Sequence, residues 1–200
     1  AVTIDALDAA VDLSGLSFSA AATTVIDAAT NSVATLGAGA SRAITGTSVA
    51  DAITGVSGAD TIDGGKGDDD IDGNGGADAL IGGLGSNNYL YNTGDAATGE
   101  TITFNTATGA TETIKVVTST DISAINAGAV LTGADAITNS AGADTTLLGS
   151  QVTGLTIQLN GQAGDDFNVN GTTSADSIDM SKATMAANTD TVVDLKAGND

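Results

Sequence analysis

Residues 46–90 read GTSVADAIT, GVSGADTID, GGKGDDDID, GNGGADALI and GGLGSNNYL, which are five consecutive blocks of nine without an insertion. Each block begins with glycine: Gly46, Gly55, Gly64, Gly73 and Gly82. The fourth residue is glycine in all but the first block: Gly58, Gly67, Gly76 and Gly85. The sixth residue carries a side-chain oxygen: Asp51, Asp60, Asp69, Asp78 and Asn87. The eighth is apolar or aromatic: Ile53, Ile62, Ile71, Leu80 and Tyr89. A period kept this strictly predicts a stack of similar structural units.

Each block combines one short strand with one tight turn. Because successive side chains of a strand point to opposite faces, the sixth and eighth residues share a face, which we expect to point inward. The glycines before them supply backbone conformations that other residues resist. Two blocks then form one flattened coil with a strand on each side. The sequence therefore predicts an all-β solenoid with short parallel strands.

A column of inward aspartates requires a cation, since buried carboxylates are unstable without a partner. Calcium takes about 6–8 oxygen ligands, and turn carbonyls with carboxylates supply such ligands. We therefore expect calcium as the cofactor, bound at the Gly-rich turns. The alternative is a disordered Gly/Asp linker, which is typical of this composition. The five apolar residues in phase argue against a linker.

The five blocks resemble the nonapeptide G-G-x-G-x-D-x-U-x of the RTX (repeats-in-toxin) family, a calcium-binding β-helix repeat. The resemblance implies a right-handed parallel β-helix or β-roll solenoid with Gly-rich calcium-binding turns. The resemblance implies that calcium lies between successive turns on one side of the roll, held by sixth-position side chains and loop carbonyls. It implies ligands at Asp51, Asp60, Asp69, Asp78 and Asn87, in turns built on Gly58, Gly67, Gly76 and Gly85. One side of the roll stacks Arg42, Asp60 and Asp78, and the other stacks Asp51, Asp69 and Asn87. The best sites are expected between Asp60 and Asp78 and between Asp51 and Asp69. A site shared with Asn87 should be weaker, because its amide carries no charge.

Several residues beside this pattern have two interpretations. Arg42 either replaces an ion with a fixed cation against Asp60 or points to solvent. Asp68 and Asp70 should face outward, as solvated surface or as an intermolecular calcium contact. Tyr89 and Tyr91 are expected to cap the array.

The repeat weakens on both sides of the array, which divides the chain into three segments. We expect irregular β-solenoid coils at 1–36, the RTX calcium β-roll at 37–90, and a degenerate β-solenoid with scattered RTX-like turns at 91–200. The run GQAGDD at 161–166 restores the Gly–Gly–Asp spacing, so further calcium is expected at Asp166 and Asp176. The alternative for this segment is a plain β-helix or sandwich with ordinary surface aspartates. The chain ends on a sequence that resembles the start of another block, so we expect the solenoid to continue beyond it.

Composition excludes several classes of function. Asp+Glu number 25 against Lys+Arg 5, a formal net charge of −20, which opposes binding to nucleic acid or to an anionic membrane surface. The absence of His and Cys excludes the usual zinc, haem and iron–sulfur sites and disulfides. No stretch approaches the roughly 18 apolar residues of a membrane helix, so membrane insertion is not expected. Catalytic motifs are missing and aromatic residues for a sugar platform are scarce, so we expect no enzyme.

Three functions remain compatible with the sequence. The composition resembles S-layer proteins that Gram-negative bacteria secrete by the type I route, which thread RTX blocks through degenerate β-solenoid. That resemblance implies a secreted structural protein of the cell surface that self-associates on binding calcium, with a cell-surface glycan contacted through parts outside this chain. The alternatives are the calcium-binding RTX tail of a type I-secreted enzyme or toxin, and an adhesin stalk. A uniform array with a C-terminal signal would favour a tail, and duplication at roughly 100 residues would favour a stalk.

Overall fold

A computed structural model of the chain describes residues 43–153, 155–162, 164–172 and 179–185, and beyond these ranges the backbone of five strands. The strands are β1 (Val2–Asp5), β2 (Val11–Leu13), β3 (Thr23–Asp27), β4 (Ser32–Leu36), β5 (Ala43–Thr45), β6 (Asp51–Thr54), β7 (Thr61–Asp63), β8 (Asp70–Asp72), β9 (Ala79–Ile81), β10 (Asn88–Tyr91), β11 (Thr101–Thr103), β12 (Thr113–Val116), β13 (Thr120–Asp121), β14 (Ala136–Asn139), β15 (Thr145–Leu148), β16 (Gln158–Asn160), β17 (Asp166–Asn170), β18 (Thr184–Met185) and β19 (Asp190–Asp194). Two four-residue helical turns accompany them, a 3-10 turn at Ile125–Gly128 and an α-helical turn at Gly149–Val152.

The strands stack in three parallel sheets. The first has the order β1-β3-β5-β7-β9-β11, the second β2-β4-β6-β8-β10-β12-β14-β16-β18, and the third β13-β15-β17-β19. Each strand therefore pairs with strands of the coils before and after it, which is the topology of a β-solenoid. The predicted all-β parallel solenoid is confirmed, and the sandwich considered for residues 91–200 does not form, because the described strand pairs there are parallel.

The core consists of the aliphatic columns that the eighth positions predict. In the second sheet Ile53 pairs with Ile71, and Ile71 with Tyr89. The column then continues beyond the repeats through Ile114, Ile137 and Leu159. Every member is at most 2% exposed. The first sheet supplies the facing column of Ile44, Ile62, Leu80 and Ile102. Strands of three or four residues suffice, because each coil contributes one side chain to each column.

The coils lengthen after the repeats. Sixth-position partners in neighbouring coils lie 18 residues apart within the array, and the corresponding contacts beyond it span 22, 25 and 23 residues. The extra residues form the loops between β10 and β14, and from β13 onward the third sheet replaces the first. The second sheet nevertheless runs through all three of the segments that the sequence suggested.

Candidate metal site

The sixth-position side chains point inward, as the strand period predicts. Asp51, Asp60, Asp69, Asp78 and Asn87 are each at most 3% exposed. The Oδ1 of each later residue accepts a hydrogen bond from the backbone N–H one coil earlier. Asp69 Oδ1 lies 2.9 Å from Asp51 N, Asp78 Oδ1 2.7 Å from Asp60 N, and Asn87 Oδ1 3.1 Å from Asp69 N. The structure thus brings together the two columns named from the sequence, except for Arg42, which lies outside the described residues.

Glycine is required at the first position because a side chain would not fit there. A Cβ added at Gly64 would lie 2.5 Å from Asp69 Oδ2 and 2.7 Å from the carbonyl oxygen of Gly82 in the next coil. The space beside Gly64 is therefore lined by a carboxylate oxygen and a turn carbonyl. Any larger residue at the first position would fill the place where these oxygens converge.

Fourth-position glycines are required by backbone conformation in part of the array. Gly67, Gly76 and Gly85 have φ of 119°, 150° and 119°, in the region that favours glycine. Gly58 is not among the glycines with positive φ, so its block turns differently. The repeat pattern gives these four glycines the same role, but in the structure Gly58 differs from the other three in its φ angle.

Two buried carboxylate oxygens have no hydrogen-bond partner among the described residues: Asp69 Oδ2 and Asp78 Oδ2. A buried oxygen in this state is costly unless a ligand satisfies it. Burial raises the pKa of Asp69 to about 6 and that of Asp78 to about 7, from an ordinary 3.8. Bonds from the Asp51 and Asp60 N–H groups lower these pKa values, whereas the neighbouring Asp51 and Asp60 charges raise them.

This donor set fits calcium. All the available ligands are hard oxygens, two of them are unsatisfied, and nearby turn carbonyls can add to them. In the described part of the chain no three acidic side chains are grouped to hold a metal. Asp51, Asp60, Asp69 and Asp78, with the Gly-rich turns around them, are the residues that would hold the ion.

Two glutamates continue the columns where the repeats end. Glu100 Oε2 accepts from Asp78 N at 2.9 Å, and Glu112 Oε1 accepts from Asn87 N at 3.2 Å. The second oxygen of each accepts from a tyrosine hydroxyl: Tyr91 at 2.9 Å for Glu100 and Tyr89 at 2.7 Å for Glu112. Both oxygens of each buried glutamate are therefore used.

Burial raises the pKa of Glu100 to about 7 and also raises that of Glu112. Sequence reasoning missed both residues, although they are the only two glutamates of the chain. The expectation that Tyr89 and Tyr91 cap the array is wrong. Their side chains are buried at 0% and 1% exposure, and β12 stacks directly on their strand, so the tyrosines anchor the glutamates inside a continuing solenoid.

Asp68 and Asp70 are exposed, as expected. Asp68 Oδ1 accepts from Ser86 N at 2.8 Å, and Asp70 Oδ1 accepts from Asn88 Nδ2 at 2.6 Å and lies 3.9 Å from Lys115 Nζ. Both carboxylates therefore already have surface partners.

Outside the array, the sequence predicted calcium at Asp166 and Asp176. Asp176 lies outside the described residues. Asp166 is half-buried, and its N–H donates to Asp144 Oδ1 at 2.9 Å. Its neighbour Asp165 is the fully buried residue, and its two oxygens accept from Gly142 N and Gln162 N at 2.8 and 2.7 Å. Calcium at Asp166 and Asp176 remains a prediction.

Comparison with known families agrees with the site. Residues 45–89 match the RTX calcium-binding nonapeptide repeat in four copies, which is under a quarter of the chain. No match was found among curated proteins or among solved structures. The matched segment is a calcium-binding β-roll, and repeats of this kind are typical of secreted proteins. Within the described residues, no helix has the length and apolar character needed to cross a membrane.

Proposed function

We propose that the chain is a structural constituent of a calcium-dependent extracellular surface layer, and that it is not an enzyme. Calcium binding to the array would drive folding outside the cell, and folded chains would associate with further copies into a sheet or filament. The single observation that carries this proposal is the continuity of the second sheet. The calcium-binding coils lie in its middle, with strands stacked on both sides.

Continuity favours a structural protein over an appended tail. A tail would place the roll beside a separately folded domain, whereas here β4 and β12 pair directly with strands of the array. At the second junction the eighth-position column continues in register from Tyr89 to Ile114. The entire described chain is therefore one elongated scaffold, which suits a building element.

The negative charge of the chain makes its folding depend on calcium. Twenty-five acids against five bases disfavour compact states when calcium is scarce. Calcium binds a preformed site that the unfolded chain lacks, so its binding free energy stabilises the folded state. Chains whose net negative charge is reduced by bound calcium repel one another less.

The test is multi-angle light scattering of the full chain, first in chelator and then in millimolar calcium. We expect growth into large assemblies with calcium only. Asp69→Ala should reduce assembly, and the exposed Asp68→Ala serves as the matched control. A compact monomer in calcium would contradict a self-assembling layer and favour a tail or stalk. A circular dichroism spectrum unchanged by chelator would contradict the calcium switch itself.

A further inference from the structure

Four of the five turns of the array fall into two classes, distinguished by the acceptor of the second-position backbone N–H. In the turns at 46–51 and 55–60, the second-position N–H donates to the sixth-position Oδ2 of the same block. Thr47 N lies 2.6 Å from Asp51 Oδ2, and Val56 N lies 2.7 Å from Asp60 Oδ2. We call these closed turns, because a backbone donor occupies the carboxylate oxygen that faces the turn.

In the turns at 64–69 and 73–78 the same N–H points elsewhere. Gly65 N donates to Asp63 Oδ1 at 3.0 Å, and Asn74 N donates to Asp72 Oδ1 at 2.8 Å. Asp63 and Asp72 are the ninth residues of the preceding blocks, where the closed turns follow Thr45 and Thr54. We call these open turns, since they leave Asp69 Oδ2 and Asp78 Oδ2 buried and unpartnered.

We propose that Asp63 and Asp72 are positioning residues that hold these two turns open for calcium, so that the turns at 64–69 and 73–78 bind calcium more tightly than those at 46–51 and 55–60. The inference rests on calcium binding by the array and refines where it occurs. It assigns a role to the ninth position, which the repeat pattern leaves unspecified.

The physical basis is competition for one donor. A buried N–H requires an acceptor, and a carboxylate oxygen two residues before it competes with the one four residues after it. In both open turns the second residue has positive φ, 94° at Gly65 and 58° at Asn74, and the fourth residue is a glycine with positive φ. In the closed turns neither the second nor the fourth residue is among those with positive φ. Without Asp63, the Gly65 N–H would turn toward Asp69 Oδ2 and close the turn.

Calorimetric titration of the full chain with calcium chloride tests the proposal. Asp63→Ala should weaken one tight site by about ten- to a hundredfold, the range expected when a hydrogen bond to a charged group competes with the ion. Asp63→Asn keeps an Oδ1 acceptor for Gly65 N and should retain wild-type affinity. Thr54→Ala is the matched control at a ninth position that precedes a closed turn, and it should leave the tight sites unchanged.

Three results would overturn the proposal. Equal weakening by Asp63→Ala and Asp63→Asn would mean that the charge of Asp63 acts on the ion directly. Equal weakening by Thr54→Ala would mean a general strand effect. Unchanged affinity in Asp63→Ala would mean that the turn opens without Asp63. If wild-type protein takes up no calcium, the proposed function fails with it, whereas wild-type uptake with unaffected variants contradicts the positioning role alone.

A gain-of-site variant covers the case in which Asp63→Ala fails to fold. Thr45→Asp combined with Thr47→Gly and Val49→Gly gives the first turn the ninth-, second- and fourth-position residues of an open turn. We expect one additional tight calcium site, counted by calorimetry, because the backbone N–H and the hydroxyl of Thr47 no longer donate to Asp51 Oδ2. Thr47→Gly with Val49→Gly, without the new aspartate, is its control and should add none. An unchanged number of tight sites in the triple variant, with its circular dichroism intact, would contradict the proposal.

Discussion

Asp78→Asn should change the stability of the protein in opposite directions with and without calcium. The Asp78 carboxyl is 1% exposed, and burial raises its pKa to about 7 from 3.8. The folded state therefore holds this proton more tightly than the unfolded state. The resulting stabilisation is complete at low pH and is lost as the pH rises from about 4 through 7.

The magnitude follows from the size of the pKa shift. A difference of about three pKa units corresponds to roughly 4 kcal/mol of unfolding free energy lost at pH 8 without calcium. Asparagine keeps the Oδ1 acceptor for Asp60 N but cannot ionise. Its amide group has an acceptor in Glu100, which stands to residue 78 as Glu112 stands to Asn87, but Glu100 must then share an oxygen between two donors, which offsets part of the gain. We therefore expect Asp78→Asn to stabilise the calcium-free protein by about 2–4 kcal/mol at pH 8.

The assay is urea unfolding followed by circular dichroism, in chelator and in millimolar calcium, at pH 5 and pH 8. In chelator the variant should exceed wild type at pH 8, and the difference should shrink at pH 5, where wild-type Asp78 is protonated. In calcium the order should reverse, because the variant lacks a charged ligand. A variant less stable than wild type in chelator at pH 8 would refute the reasoning about an unpaired buried charge.

Three further substitutions test other parts of the structure. Gly64→Ala should destabilise the protein by about 1–3 kcal/mol in urea unfolding, because its Cβ would overlap Asp69 Oδ2 and the Gly82 carbonyl. Gly75→Ala is the control, because its Cβ would meet no atom within 4 Å and should have little effect on stability. An equal loss of stability in both variants would contradict the steric argument. Tyr89→Phe should lower the free energy of unfolding by about 1.5–3 kcal/mol, because buried Glu112 loses the hydrogen bond from the tyrosine hydroxyl. An unchanged free energy of unfolding would mean that water replaces the hydroxyl. Asp69→Ala should remove calcium uptake that Asp68→Ala retains, as counted by calorimetry, because only Asp69 faces the interior.

The parts of the fold that could be predicted from sequence are those that follow from the two-residue period of a strand and the nine-residue period of the repeats. Alternation along a strand places the sixth and eighth residues on one face, so the burial of Asp69 and Ile71 followed directly. The nine-residue repeat also fixed which aspartates stack together, since a coil of two blocks aligns residues 18 apart.

The remaining features depend on contacts that no period encodes. Glu100 and Glu112 take over the columns only because longer loops bring them back at separations of 22 and 25 residues. The open turns combine a ninth-position aspartate with positive φ at the second and fourth positions. A pattern that scores each position separately does not detect this combination.

The spacing between coils also bears on how the chain can acquire its structure. Residues that bond across the columns lie 18 to 25 apart in sequence, and each described strand pair joins adjacent coils. Ordering therefore never requires distant chain ends to meet, and loop closure is nearly the same small step at every coil. A chain emerging end-first from a narrow opening can add one coil as soon as about two dozen further residues are free. The solenoid can thus grow while the rest of the polypeptide is still being threaded.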